Sequence, residues 1–392
     1  MNPLTDINIR VSLHQSKGYA IFLSLLPIVM MYKTPGTGMG IATTMVALGM
    51  VYAGCAIYVH WQKIDLARLL FFIPYLLYAW FASNGMYRLL TTAIFVHLLA
   101  ISSGAVHLEK LKNMLVGVAC VASGCVILQQ LLHLVLGLDV QFMYKFLMID
   151  SLQDVGYNGL FEPSHGKAMY RPSAFFMEPS HFAQYAFLGL CACLFGTAEV
   201  RLKAALLISM GMFATTSGIG FVLTGAIWLW WGLTKMEDYP AIYKVCLFVG
   251  VCFIAALLFF ILYQIPFFES IISRFIDTPE GEVNAIDGRT FGWALLFEGK
   301  DFWELFWGWG PETLPTYFLT GLMEQLYMYG WLGVGLLFMY LSWLCLFTTG
   351  LPRIVTMLFF SLYFVAGVSG FIPVIFYIGS ILTFSIFQDE ER

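Results

Sequence analysis

Long apolar runs, separated by short polar breaks, follow one another along almost the whole chain. Many approach the length of about 20 residues that an α-helix needs to cross a hydrocarbon core. The pattern predicts an all-α polytopic membrane protein, a single membrane domain over residues 1–392 with about 12 transmembrane helices. The predicted spans are 18–32, 38–60, 66–82, 86–105, 113–137, 181–197, 202–217, 219–234, 241–263, 323–347, 354–369 and 371–387. Residues 202–234 also fit one kinked hairpin, and the count ranges from 10 to 14.

The basic residues predict how these spans are oriented. With the N-terminus in the cytoplasm, the inside segments carry twelve Lys and Arg residues and the short outside loops carry two, Lys33 and Arg88. Cytoplasmic loops of membrane proteins are enriched in Lys and Arg in this way. The twelve are Arg10, Lys17, Lys63, Arg68, Lys110, Lys112, Arg201, Lys203, Lys235, Lys244, Arg353 and Arg392. We therefore expect both termini in the cytoplasm and two long loops, 138–180 and 264–322, on the outer face.

Composition excludes the soluble classes of protein. The chain is 60% hydrophobic and 11% charged, whereas soluble domains carry about 25% charged residues. The net charge of −4 and the scattered basic residues also argue against a nucleic-acid partner. The first apolar run lacks a small-x-small cleavage site, so we expect a retained span rather than a signal peptide.

Chemically reactive residues concentrate in the two outer loops. Fifteen of the 24 acidic residues lie in these loops or at their edges. Transporters usually show the opposite pattern, with short loops and polar residues inside the spans. The sequence therefore places function at the outer membrane surface, with the helices as a scaffold.

The end of the first loop combines an arginine, a glutamate and a histidine. It reads RPSAFFMEPSHFAQY over residues 171–185. Pro179 suits the first position of a helix, which places Glu178 at the helix start and His181 in its first turn. A helix N-terminus favours anions, and the planar fork of Arg171 suits phosphate oxygens. For each residue alone, a helix-start carboxylate, an interfacial polar tip or a snorkelling arginine is also a sufficient explanation.

The second loop carries the other candidate site residues. Asp287-Gly288 predicts a turn, and residues 290–307 predict an interfacial helix with an aromatic face. Arg289, and more weakly Arg274, are candidate phosphate-binding residues in this acidic loop. Glu312 follows a WGWGP segment, and Glu324 opens the tenth span. Either glutamate is a candidate acceptor-binding residue or base, although Glu324 is equally explained as a helix-start carboxylate.

Four motifs, in this order, carry a resemblance to a known family. They are RPSAFFMEPSHFAQY, then TSGIG at 216–220, then DGRT…W from 287, then GWGP…GWLGVG from 308 to 335. Together they resemble the O-antigen polymerase (Wzy-type) family, in particular its capsule and exopolysaccharide repeat-unit polymerases. The resemblance covers roughly residues 165–340.

The resemblance implies a fold and an activity. Members are GT-C-like integral glycosyltransferases of the bacterial inner membrane, with a periplasmic active site. They transfer a growing glycan from undecaprenyl diphosphate to a new lipid-linked repeat unit. Motif positions assign diphosphate binding to Arg171 and Arg289, with Glu178 or His181 as the base or the group that orients the acceptor. The implied partners are lipid-linked donor and acceptor oligosaccharides, membrane lipids, a chain-length regulator and a flippase.

Two departures from the family pattern affect these assignments. Many relatives carry Ser-Arg where this chain has Ser217-Gly218, so one cationic contact must come from elsewhere. O-antigen ligases, the first alternative, place a His near the start of the span after the second loop, where this chain has Glu312 and Glu324. A polysaccharide or lipid-linked sugar transporter is the second alternative. The outer loops contain no Asp-x-Asp, so we expect no cofactor and a metal-independent reaction.

Overall fold

The chain is mostly helical. The computed structural model describes residues 16–29, 32, 41–60, 70–140, 161–164, 167–176, 178–196, 200–236, 238–264, 292–293, 295–313, 319–348, 352–357 and 360. Arg274 and Arg289 lie outside these residues, as does the predicted span 371–387. Of the predicted span 354–369, only its beginning and residue 360 are described.

Ten of the twelve predicted spans coincide with a helix. The helices are α1 (Lys17–Val29), α2 (Ile41–His60), α3 (Ile73–Phe81), α4 (Gly85–Ser102), α5 (Leu108–Leu136), α6 (Pro179–Phe195), α7 (Leu202–Ala214), α8 (Gly218–Lys235), α9 (Ala241–Tyr263), α10 (Phe302–Trp307) and α11 (Gly321–Phe347). A short hairpin of β1 (Phe161–Ser164) and β2 (Lys167–Tyr170) precedes α6, pairing Phe161 with Tyr170. Residues 202–234 form two helices, α7 and α8, joined by a tight turn.

Two helices are long and apolar enough to cross a membrane. They are α5, of 29 residues, and α11, of 27 residues, judged by length and composition among the described residues. At about 1.5 Å per residue, the 29 residues of α5 span roughly 43 Å. This exceeds a hydrocarbon core of about 30 Å, so the ends of a spanning α5 would reach the headgroup region.

The chain divides into two compact units. The first contains α1 to α4, α10 and α11, and the second contains the β-hairpin and α6 to α9. The boundary falls inside α5, between Met114 and Leu115.

Aromatic residues form the contact between α3 and α11 in the first unit. The rings of Phe72 and Tyr340 pack with their centroids 4.5 Å apart. The Tyr75 hydroxyl donates a hydrogen bond of 2.7 Å to Oε1 of Gln325. All four side chains are buried, and the hydrogen bond satisfies two polar groups that would otherwise be costly to bury.

Helix α11 is interrupted at Gly330, where the chain crosses another backbone segment. Gly330 has φ 59° and ψ −173°, which is not a helical conformation. The amide of Trp309 donates to the carbonyl of Tyr327 at 2.8 Å, and that of Gly310 donates to Met328 at 3.0 Å. The segment before the 3₁₀-helix Pro311–Thr313 thus satisfies carbonyls beside the break.

The prediction of one continuous interfacial helix over residues 290–307 is wrong. Gly299, with φ 66°, interrupts it. A new helix, α10, then starts at a capping box: the Asp301 carboxylate accepts from the Glu304 amide at 2.8 Å, and the Glu304 carboxylate accepts from the Asp301 amide at 3.2 Å. The physical reason is that this cap satisfies the first amides of a helix and so favours a start there over continuation through a glycine.

In the second unit, α6 is the central helix. Every residue of α6 from Phe182 to Leu194 is buried. Small residues allow close packing around it: a Cβ on Gly189 would lie 2.6 Å from Cβ of Ala119 in α5. A Cβ on Gly220 in α8 would lie 3.6 Å from Cβ of Ala183. The N-terminal parts of α6 and α8 are therefore close together.

We expect Gly189→Ala to destabilise the second unit. The added methyl must move α5 away from α6, since Ala119 and the Leu115 carbonyl, at 3.1 Å, leave no space. Overpacking of this kind costs about 1–3 kcal/mol, and each kcal/mol lowers the melting temperature by roughly 2–4 °C in a domain of about 150–250 residues. The measurement is thermal unfolding in detergent. Gly124→Ala on α5 is the control because its Cβ meets nothing within 4 Å; equal melting temperatures for both variants would contradict this packing.

Candidate functional site

The motif residues Glu178 and His181 lie together at the start of α6. Pro179 occupies the first turn, as predicted, and Glu178 is the N-cap residue in an extended conformation with φ −137° and ψ 154°. Its carboxylate does not cap a backbone amide; it accepts a 2.7 Å hydrogen bond from the Ser180 hydroxyl. His181 is close enough to interact electrostatically with Glu178, and both side chains are partly buried. The helix start therefore presents a carboxylate and an imidazole side by side.

A strained turn leads into this helix start. The Phe176 amide donates to the Ser173 carbonyl at 3.0 Å, and the Ser173 hydroxyl donates to the Phe176 carbonyl at 2.8 Å. Between them, Ala174 has φ 54°, a conformation unusual for a residue with a side chain. The Ala174 amide donates to Oε1 of Gln129 at 2.9 Å, which ties the turn to α5.

Arg171 begins the same segment. It is partly buried and directly follows Tyr170, the last residue of β2. The Tyr170 hydroxyl donates to the Val140 carbonyl at 3.0 Å. Burial raises the pKa of Tyr170 to about 12, and the nearby Asp139 carboxylate adds to this effect. Tyr170 thus stays neutral and donates its hydroxyl hydrogen bond. This bond holds in place the residue that directly precedes Arg171.

A histidine and an aspartate that the sequence did not single out lie against Tyr170. The His133 ring stacks on the Tyr170 ring with centroids 4.5 Å apart. Nδ1 of His133 lies 2.7 Å from Oδ1 of Asp139. The only sequence signal was a histidine in the last turn before the helix-ending Gly137, which is also where a histidine is favoured by the helix dipole alone.

The turn between α7 and α8 lies at the same end of the second unit. Thr216 has φ 57°, and the Ser217 amide donates to the Thr215 hydroxyl at 3.2 Å. Ser217, the N-cap of α8, makes no side-chain capping bond. Thr216 and Ala174 are the two non-glycine residues with positive φ in the described part of the chain, and each precedes one of the two neighbouring helix starts. Such strain is often concentrated at functional sites.

Two buried polar groups at this end lack partners within the described residues. They are the Thr216 hydroxyl and the side-chain amide of Gln130, whose Nε2 and Oε1 both lack a hydrogen-bond partner there. Gln130 is 6% exposed and Thr216 is 1% exposed, so bulk water does not satisfy them. Buried polar atoms are nearly always hydrogen-bonded in native proteins. These groups are therefore available to a polar ligand or to bound water.

The remaining predicted site residues lie in the first unit or outside the described residues. Glu324 lies in the first turn of α11, in the first unit, and is partly exposed. Glu312 lies in the 3₁₀-helix Pro311–Thr313, and its side chain is outside the described part of the structure. The described structure thus groups Arg171, Glu178 and His181 in one unit, and the roles assigned to all these residues stay predictions.

Comparisons with known proteins give no assignment. The sequence matches no protein-family model and no curated protein.

Proposed function

We propose that this protein joins undecaprenyl-diphosphate-linked oligosaccharide repeat units into a surface polysaccharide. It is then a glycosyltransferase of the bacterial inner membrane, with about 12 spans, a GT-C-like fold, cytoplasmic termini and a periplasmic active site. The observation that carries the proposal is the start of α6, where the family-like motif forms a helix N-terminus with Glu178 and His181, and Arg171 lies seven residues before Glu178 in the same motif.

The physical demands of the reaction match these groups. The acceptor hydroxyl bonds to the anomeric carbon of the donor glycan, the bond from that carbon to the diphosphate oxygen breaks, and the diphosphate leaves with the electron pair. Negative charge grows on the leaving group, and preorganised positive groups lower the barrier by stabilising it. Arg171 offers a planar fork for phosphate oxygens, and the neighbouring starts of α6 and α8 add positive potential. We assign Arg289 and Arg274 to the same task from the sequence alone.

The polar end of the second unit suits a sugar acceptor. Glu178 or His181 either accepts the hydroxyl proton or orients the acceptor, and the unpartnered groups of Gln130 and Thr216 suit sugar hydroxyls. Glu312 and Glu324 are further candidates for acceptor binding. The donor and acceptor lipids, a chain-length regulator and a flippase are the proposed partners, and the chemistry requires no metal.

Outward-facing apolar side chains support the membrane location. Helix α9 exposes large apolar residues along its length, and their exposure is unfavourable in water but suits lipid. They include Ile242, Val245, Phe248, Val249, Phe253 and Phe260. The length and apolar composition of helices α5 and α11 also support a membrane location.

The test of the proposed function is the glycan length profile of a strain that lacks this gene. Lipid-linked glycans and glycans on the final acceptor are analysed separately. We expect single repeat units and no polymer in either pool, with polymer restored by the gene on a plasmid. Polymer that accumulates on the lipid carrier would identify a ligase instead. Repeat units trapped on the cytoplasmic face would identify a transporter, and either result would overturn the proposal.

A further inference from the structure

The histidine–aspartate pair against Tyr170, the residue before Arg171, has the geometry of a general base. Nδ1 of His133 lies 2.7 Å from Oδ1 of Asp139. An ionised carboxylate only accepts hydrogen bonds, so Nδ1 carries the proton in this contact. The neutral form of such a ring has an unprotonated Nε2, and Nε2 of His133 makes no hydrogen bond to another described residue. An imidazole oriented by a carboxylate in this way is the arrangement that hydrolases use to remove a hydroxyl proton.

The surrounding contacts fix the ring. The Tyr170 ring stacks on His133 at 4.5 Å with an interplanar angle of 22°. Val140, next to Asp139, accepts hydrogen bonds from the Tyr170 hydroxyl at 3.0 Å and from Nε2 of Gln129 at 2.9 Å. Gly137, with φ 64°, ends α5 and donates its amide to the His133 carbonyl at 3.0 Å. The ring and the backbone beside its carboxylate are thus each held by neighbours, as a preorganised catalytic group requires.

Stability alone is a poor explanation for this pair. The side chains of His133 and Asp139 are 33% and 37% exposed. Ion pairs at such exposure contribute about 0–1 kcal/mol. The His133 side chain is also partly accessible, whereas a structural histidine in the core would be buried.

The pair lies where an acceptor sugar would meet the membrane surface. His133 is in the last turn of α5, and the 29 residues of this helix rise roughly 43 Å, more than the thickness of the hydrocarbon core. Asp139 follows the helix, and Tyr170 connects the pair to Arg171. The diphosphate-binding arginine and the pair thus belong to one local structure.

The two motif candidates are less suited to accept a proton. The Glu178 carboxylate already accepts the Ser180 hydroxyl at 2.7 Å and lies at a helix N-terminus, whose potential favours the charged form over the protonated one. His181 has no hydrogen bond to a carboxylate among the described contacts, so nothing comparable fixes its tautomer. Orientation of the acceptor is the role that suits Glu178 and His181 better.

We propose that His133, positioned by Asp139, is the base that activates the acceptor hydroxyl. This inference rests on the proposed polymerase function. Nε2 accepts the hydroxyl proton as the sugar oxygen bonds to the anomeric carbon. The bond from that carbon to the diphosphate breaks, the diphosphate leaves with the electron pair, and the imidazolium later returns the proton to water. Asp139 is a positioning residue that holds the proton of the neutral ring on Nδ1 and stabilises the imidazolium once Nε2 has accepted the hydroxyl proton.

The decisive variant is His133→Asn in purified protein, assayed with lipid-linked repeat units extracted from a strain lacking the gene. The asparagine amide keeps a donor near the position of Nδ1 for Asp139 but has no equivalent of Nε2. A structural role predicts nearly normal chain growth. A base predicts a fall in kcat of about 10²- to 10⁴-fold with KM little changed. Asp139→Asn should also lower kcat more than it changes KM.

Chemical rescue provides the second readout. His133→Ala leaves a space that imidazole added to the assay can fill. We expect added imidazole to restore activity, more strongly for more basic imidazole derivatives. We expect no such rescue of Arg171→Ala, because that variant lacks a guanidinium group and not an imidazole. Wild-type kcat in His133→Asn, or loss in His133→Ala that no imidazole relieves, overturns the proposal for His133. Failure of the unmodified protein to polymerise these substrates would instead overturn the proposed function.

Discussion

Replacing Arg171 with alanine should stop polymer growth while the protein accumulates to its normal level. The side chain is partly buried at the start of the motif segment, so its removal creates no large cavity in the core. If Arg171 stabilises the leaving diphosphate, its loss should cost about as much as loss of an oxyanion-stabilising donor, on the order of 3–4 kcal/mol or 10²- to 10³-fold in rate. A reduction of this size leaves mainly single repeat units in a length profile.

A matched arginine separates this role from simple membrane anchoring. Arg88 is another outer-face arginine in the proposed orientation, in the first turn of α4. It lies 4.6 Å from the centre of the Trp80 ring and donates from Nε to the Trp80 carbonyl at 3.2 Å. Arg88→Ala should leave polymer length unchanged. Arg171→Lys should give intermediate activity because lysine keeps the charge but loses the fork.

The measurements are polymer length on gels and protein amount in membranes, in the same cells. Normal polymer in Arg171→Ala cells would remove the residue from the site. Equal loss in the Arg88→Ala strain would show that any outer arginine is needed for insertion. Loss of the Arg171→Ala protein itself would indicate a folding role.

The sequence predicted the helices better than the loops, for a physical reason. Each helix is specified by a local run of apolar residues, and ten predicted runs coincide with helices. Pro179 and Glu178 were located correctly because proline has a fixed backbone angle and lacks the amide that a first turn leaves unpaired. These are properties of short segments, so no knowledge of distant contacts was needed.

The errors arose where tertiary contacts or local caps determine the structure. The interfacial helix was predicted through Gly299 because aromatic periodicity outweighed the glycine, although the Asp301-x-x-Glu304 capping box was readable. The stacking of the Tyr170 ring on His133 joins residues that are 37 positions apart. A contact of that range leaves no local pattern. The same applies to the break at Gly330, which requires a crossing segment from residues 308–310.

Replacing Gly330 with alanine should remove most of the folded protein. Gly330 has φ 59° and ψ −173°, and Gly308 has φ 76° and ψ 178°. This region of backbone angles is essentially restricted to glycine and costs other residues about 1–3 kcal/mol. A Cβ on Gly330 would also overlap the Phe306 carbonyl, and a Cβ on Gly308 would lie 2.5 Å from the Gly330 amide nitrogen. Backbone cannot move aside as a flexible side chain can.

The two effects together exceed the usual cost of a point mutation, which is about 0.5–3 kcal/mol. The free energy of unfolding of native proteins is only about 5–15 kcal/mol, so losses of this size leave little stability. The measurement is the height of the monodisperse peak when membranes solubilised in detergent are separated by size. We expect a severe loss for Gly330→Ala and a similar loss for Gly308→Ala.

Gly335→Ala is the matched control in the same helix. Gly335 is exposed, and a Cβ there meets nothing within 4 Å. Because alanine favours a helix over glycine by about 1 kcal/mol, this variant should be as abundant as the unmodified protein. A normal peak for Gly330→Ala would mean that the crossing with Gly308 is looser than the structure has it. Activity per folded molecule should not change in Gly335→Ala, because Gly335 supplies no group to the proposed reaction.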